Sequence, residues 1–155
     1  STLHNTLFPY TTLFRSVLLL FFLVFYLFVI PVHEHIHYRV YDLFDAEPEH
    51  DRYRVLLVDN PAVVPTATEI PRRGLLLATV APFVVIGVVS GGMMLATDGV
   101  VAMVAAFVFV GNSGASGHDL YIAYNFSKMP RGTLFAYFRN ESSGNELRTE
   151  YAVPK

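Results

Sequence analysis

A chain of 155 residues with 53% hydrophobic and 15% charged residues, and a mean hydropathy of +0.42, is too apolar for an ordinary soluble domain of its size. A net charge of -2, with no basic patch interleaved with aromatics, argues against a nucleic-acid partner. Cysteine is absent, which excludes disulfides, thiolate metal sites and cysteine nucleophiles together, so any metal must be held by His and carboxylate.

Residues 1–16 stand apart. Thr6 to Ser16 reads as the translation of a common sequencing-adapter oligonucleotide, and it is set aside from the fold as a non-native segment, with Ser1 to Asn5 by association. On that reading the natural N-terminus is missing, and whatever preceded Val17 is unknown.

Val17 to about Tyr38 is the first apolar run. As a helix it is about 33 Å long, enough to cross a hydrocarbon core of about 30 Å. No small-residue cleavage pattern follows it, which argues against a signal peptide. Its last turns carry His33-Glu34-His35-Ile36-His37, an H-E-x-x-H motif. His33 and His37 are four residues apart, so on a helix they project from one face and can offer imidazole nitrogen to a single ion. Glu34 lies one step round, within reach of a water on that ion, whereas His35 points away.

Between this run and the next the chain is polar. Asp42 to Asp51 reads as an acidic, solvated loop, and Arg54 to Val58 as a short strand ending in a turn at Asp59-Asn60-Pro61. Such a strand serves packing, or pairs with an extended substrate.

Gly74 to Ala96 is a second uncharged span, containing Pro82 and the small residues Ser90-Gly91-Gly92 that permit a kink and close helix contact. Thr97-Asp98-Gly99 is a tight turn, and Val100 to about Asn125 is a third span. Its glycines between Gly111 and Gly117 suit helix packing better than phosphate binding. Thr133 to Phe138 and Leu147 to Val153 flank a polar segment, Asn140 to Asn145, in the pattern of a β-hairpin. The fold class is therefore mainly α: a polytopic membrane protein of about three transmembrane helices, with a small loop and a β-hairpin tail. Residues 17–138 form the membrane-embedded domain and residues 139–155 the tail.

Trp is absent, so Tyr38, Tyr41, Tyr121 and Tyr124 would supply the interfacial belt. Arginines 39, 52, 54, 72 and 73 lie between spans one and two, and Lys128, Arg131, Arg139, Arg148 and Lys155 follow span three. By the positive-inside rule residues 39–73 and the C-terminus are cytoplasmic. Spans one and three then run parallel, which matters for the site.

A catalytic zinc site has three protein ligands and an open position, so the His pair needs a third group. Asp119 is the only carboxylate inside span three, and a carboxylate in a bilayer demands a metal, a cation partner or water. Parallel spans put Asp119 and the His pair at matching depth near the cytoplasmic interface. Asn112, Ala115, Ser116 and Asp119 share one helical face that can pack against the His-bearing helix. His118, about 100° round the helix, is the alternative third ligand. In such a site zinc acidifies a water, Glu34 takes its proton and later gives it to the leaving amine. Asn112 is a candidate to hold substrate backbone or oxyanion, or else a hydrogen-bonding residue at a helix interface.

The order of an apolar span, H-E-x-x-H, a polar loop, a span with Ala81-Pro82, then Gly117-His118-Asp119-Leu120-Tyr121 and Lys128-Met129-Pro130-Arg131-Gly132, resembles the zincin-peptidase family. These are small integral membrane proteins long catalogued as a domain of unknown function. The resemblance covers Val17 to about Phe138, and it implies His33, His37 and Asp119 as zinc ligands and Glu34 as catalytic residue. It implies a Zn2+-dependent metallopeptidase of a prokaryotic cell membrane, surrounded by lipid and acting on membrane or membrane-adjacent protein, in the manner of the site-2 proteases. Two features depart from pattern. The site-2 Leu-Asp-Gly signature is here His118-Asp119-Leu120, and family members usually carry another span upstream.

Two rival readings stay open on sequence alone: a non-catalytic, metal-stabilised membrane scaffold or adaptor, and a small transporter using His and Asp as an ion relay.

Overall fold

The computed structural model describes residues 2–55, 58–66, 69–140 and 146–152. Its first feature is one long helical rod. Helix α1 (Thr2–Val24) passes through a single π-helical turn (Phe25–Val29) into α2 (Ile30–Asp42). Pro31 accounts for the turn. It has no N–H to give the carbonyl four residues back and its ring crowds that carbonyl, so the ladder slips and the Ile30 N–H closes onto the Phe25 carbonyl instead. The slip rotates everything after Val29, including the H-E-x-x-H residues, relative to the span before it.

Helix α3 (Arg72–Ala96) packs antiparallel to α2, and α4 (Gly99–Ala115) returns along α3. Contacts rise together along the first and last of these: Phe21 stacks on Phe107, and Phe25 lies over Gly111. The α1–α2 rod and α4 are therefore parallel. A Cβ on Gly111 would stand 2.6 Å from the Phe25 ring, so glycine is what permits the approach.

Among the described residues two helical segments, Thr11–Asp42 and Arg72–Ala96, are long and apolar enough to cross a membrane. The third span expected over 100–125 is not one straight helix. It is α4 followed by α5 (Gly117–Ser127), bent by 48° at Ser116, whose backbone (φ -73, ψ -3) leaves helical geometry between Gly114 and Gly117. Counted as one broken span, the pair makes three. The mainly helical, polytopic class expected from the sequence is the class observed.

The strands differ more from expectation. β1 (Pro48–Val55) and β2 (Val58–Pro65) form an antiparallel ribbon in which Val55 faces Val58. Pro48 to Asp51 is thus strand rather than acidic loop, and Asp59-Asn60-Pro61 lies within β2 rather than in a turn. Prolines are accommodated here because both strands of a two-stranded ribbon are edges, where a missing donor is tolerated. The tail hairpin is present, with β4 (Leu134–Asn140) paired to β5 (Glu146–Ala152) and also to the short β3 (Ile70–Pro71). The loop proposed around residues 141–145 lies outside the described residues.

The two sheets and the helix ends share one apolar core of Tyr41, Ala46, Val63, Ile70, Leu75, Ala78 and Phe135. Helix α5 is tied to that core from its C-terminus, where the Arg72 guanidinium donates to the carbonyls of Phe126 (2.9 Å) and Ser127. The last carbonyls of a helix lack the regular i+4 donor; here the Met129 N–H reaches the Phe126 carbonyl, and the guanidinium adds a charged donor to both carbonyls that complements the helix dipole. The π turn, the break at Ser116 and this cap together set where α2, α3 and α5 meet.

Candidate metal centre

At that meeting point lie His33 and His37 of α2 and Asp119 of α5. Four-residue spacing stacks the two imidazoles on the inner face of α2, where both are buried, and their Nε2 atoms are 3.1 Å apart. Asp119 lies in the first turn of α5, where the helix dipole favours a carboxylate. Its Oδ2 is 3.1 Å from His33 Nε2 and 3.3 Å from His37 Nε2. The three atoms form a nearly equilateral triangle.

The outer nitrogens decide the tautomers. His37 Nδ1 is 2.8 Å from the Ala78 carbonyl, which can only accept, so the proton is on Nδ1. Asn112 is wholly buried, and its Nδ2 donates to the Pro82 carbonyl at 3.4 Å, which turns Oδ1 towards His33 Nδ1 at 3.1 Å. His33 therefore also carries its proton on Nδ1. In the neutral rings both Nε2 atoms are then lone pairs, and the carboxylate supplies a third. Three acceptors face one another with no donor among them.

Such a cluster is repulsive unless a cation or extra protons lie between. A proton on one ring serves one or two edges of the triangle; a divalent cation serves all three. The size fits zinc, because Zn–N and Zn–O bonds of about 2.0–2.1 Å in tetrahedral geometry separate neighbouring ligand atoms by about 3.3 Å. The chemistry fits too, since each imidazole gives Nε2 while its Nδ1–H is held by a carbonyl, the usual outer partner of a metal-bound histidine. Among the described residues, His33, His37 and Asp119 are the group of this kind.

A cleft of about 710 Å³ opens onto the triangle. Glu34, His118, Thr79 and Ile122 border it, and Ala62 to Pro65 of β2 form the opposite wall. The β2 main chain at Val63 hydrogen-bonds the Glu34 carboxylate, which as an acceptor takes the bond from the N–H. Two smaller apolar grooves, between α1 and α4 and between α2, α3 and α4, are lined by no titratable side chain.

A family model described as "Putative zincin peptidase" matches residues 26–134, more than half of the chain. The chain belongs to this zincin-peptidase family. The match begins in the π turn and ends at the start of β4, so it encloses the ligand triangle, Glu34 and the ribbon that walls the cleft. Neither the curated proteins nor the solved structures contain a match.

Of the residues the sequence singled out, the fold brings His33, His37 and Asp119 together and sets Glu34 beside them. His118 borders the same cleft but stands outside the triangle, on the exposed side of α5. Asn112 stands behind His33 rather than over the cleft, and both ends of its amide are engaged. His35 is exposed and stacks with Tyr38. Sequence reading missed the Ala78 carbonyl and the Val63 amide, since main-chain groups carry no residue signature. The first had one indirect signal, a proline four residues downstream.

Proposed function

We propose that this member of the zincin-peptidase family is a membrane-embedded zinc metallopeptidase that hydrolyses peptide bonds near the cytoplasmic membrane interface. The observation that carries the reading is the triangle of three acceptor atoms, 3.1 to 3.3 Å on a side, with both histidine protons turned outward. His33, His37 and Asp119 hold the ion. Bound there, zinc supplies a Lewis acid that polarises a carbonyl and makes water a competent nucleophile near neutral pH.

Glu34 acts as the proton carrier. Its carboxylate accepts the proton of the attacking water and delivers it to the departing amine nitrogen, the two halves of general acid–base catalysis by one group. The Val63 N–H fixes one side of that carboxylate and leaves the other towards the cleft. The β2 wall, Ala62 to Pro65, offers main-chain groups beside the site, which suits a polypeptide bound in extended form. The positive-inside distribution supports a cytoplasmic position for the ribbon and the hairpin tail.

Glu34→Gln tests this. Membranes carrying the wild type should accumulate new peptide amino termini, detected by terminal labelling and mass spectrometry, and membranes carrying Glu34→Gln should not, at equal zinc content. Equal yields of new termini from both would overturn peptidase action and favour a scaffold.

A further inference from the structure

We infer that Pro82 is a positioning residue for the metal centre, acting through the Ala78 carbonyl that its missing N–H leaves open to His37. The inference rests on the zinc-site reading above, but it concerns how the apo chain prepares one ligand. In a regular α-helix the carbonyl of residue 78 accepts the N–H of residue 82. Residue 82 is a proline inside α3, and it has no N–H to give. His37 Nδ1 fills the place at 2.8 Å, from a separate helix, with Ala78 and Pro82 both buried at the contact.

The same turn of α3 serves the other histidine. Residues 78 and 82 lie one above the other on a helix face, and the Pro82 carbonyl accepts from Asn112 Nδ2, whose Oδ1 faces His33 Nδ1. Two main-chain carbonyls, one turn apart, thus fix the tautomers of both imidazoles, His37 directly and His33 through Asn112. Each ring is locked with its lone pair on Nε2, the atom that faces Asp119. A proline retained only to bend α3 would have no reason to stand four residues after the one carbonyl that meets His37.

Two variants of the full chain in detergent separate these roles. Pro82→Ala restores a donor for Ala78 at no cost to helix propensity. The double variant Ala81→Pro, Pro82→Ala keeps a helix proline but opens the carbonyl of Leu77, which is on the exposed side. In both, zinc affinity measured against a chromophoric chelator should fall about 10- to 100-fold, the usual effect of losing an outer partner of a ligating histidine. Pro82→Ala should meanwhile leave the thermal stability of the zinc-free protein unchanged or raised.

A metal-independent readout accompanies it. In zinc-free protein, about two pH units above the ordinary histidine value of about 6.5, the 15N shifts of His37 should report the Nδ1–H tautomer in the wild type and a mixture in both variants. Unchanged affinity and an unchanged His37 tautomer in Pro82→Ala would overturn the inference. So would a parallel loss of affinity and apo stability with the tautomer retained. A wild type that binds no zinc would defeat the site reading alone, because the tautomer comparison still decides the role of Pro82.

Discussion

The Nε2 atoms of His33 and His37 face each other across 3.1 Å while each ring's proton is held on its far side, by Asn112 Oδ1 and the Ala78 carbonyl. That relationship is built by three helices at once. Helix α2 supplies the spacing, α3 the carbonyls and α4 the amide. The carboxylate that completes the set arrives on α5, beyond a bend that α4 could not make as a straight helix.

Asn112 should matter through His33. Asn112→Ala leaves the His33 Nδ1–H without its acceptor, and zinc affinity should fall about 10- to 100-fold. Asn112→Asp, which still accepts from Nδ1, should lose less. A chelator competition titration of the three proteins checks the order, and equal affinity for wild type and Asn112→Ala would contradict it.

Gly111 should be intolerant of a side chain. A Cβ there would sit 2.6 Å from the Phe25 ring, so Gly111→Val must push α4 away from the π turn and carry Asn112 with it. Overpacking of this kind costs about 1–3 kcal/mol. Thermal unfolding in detergent should show that loss, and combining it with Phe25→Ala should recover part of it as a coupling between touching residues.

Arg72 should hold α5 in place. Arg72→Ala removes the charged donor from the Phe126 and Ser127 carbonyls, at a cost of about 1–2 kcal/mol given the partial exposure of the pair. Arg72→Lys should restore little, since an ammonium lacks the planar fork that reaches both carbonyls. Hydrogen exchange should speed up in the last turn of α5 in both variants.

Much of the site was legible because ligand chemistry is side-chain chemistry. The four-residue spacing of His33 and His37 and the isolation of Asp119 in an apolar span are facts of sequence, and the parallel course of spans one and three followed from charge placement. The rest is backbone. The π turn ahead of Ile30, the bend at Ser116 and the acceptor role of Ala78 each depend on where a proline or a break interrupts a hydrogen-bond ladder. The ribbon is hidden for the same reason, since Pro61 and Pro65 read as punctuation until both strands are known to be edges. Asn112 could be placed on the correct face but not assigned, because its role depends on the carbonyl of Pro82 on another helix.

The proposed function depends first on three side chains from two helices holding one zinc ion. The most direct measurement is metal content, by elemental analysis, of the purified full chain beside His37→Ala, Asp119→Ala and Glu34→Gln. One zinc per chain is expected in the wild type and in Glu34→Gln, with loss of it in His37→Ala and Asp119→Ala. Equal zinc in the wild type and His37→Ala would contradict it.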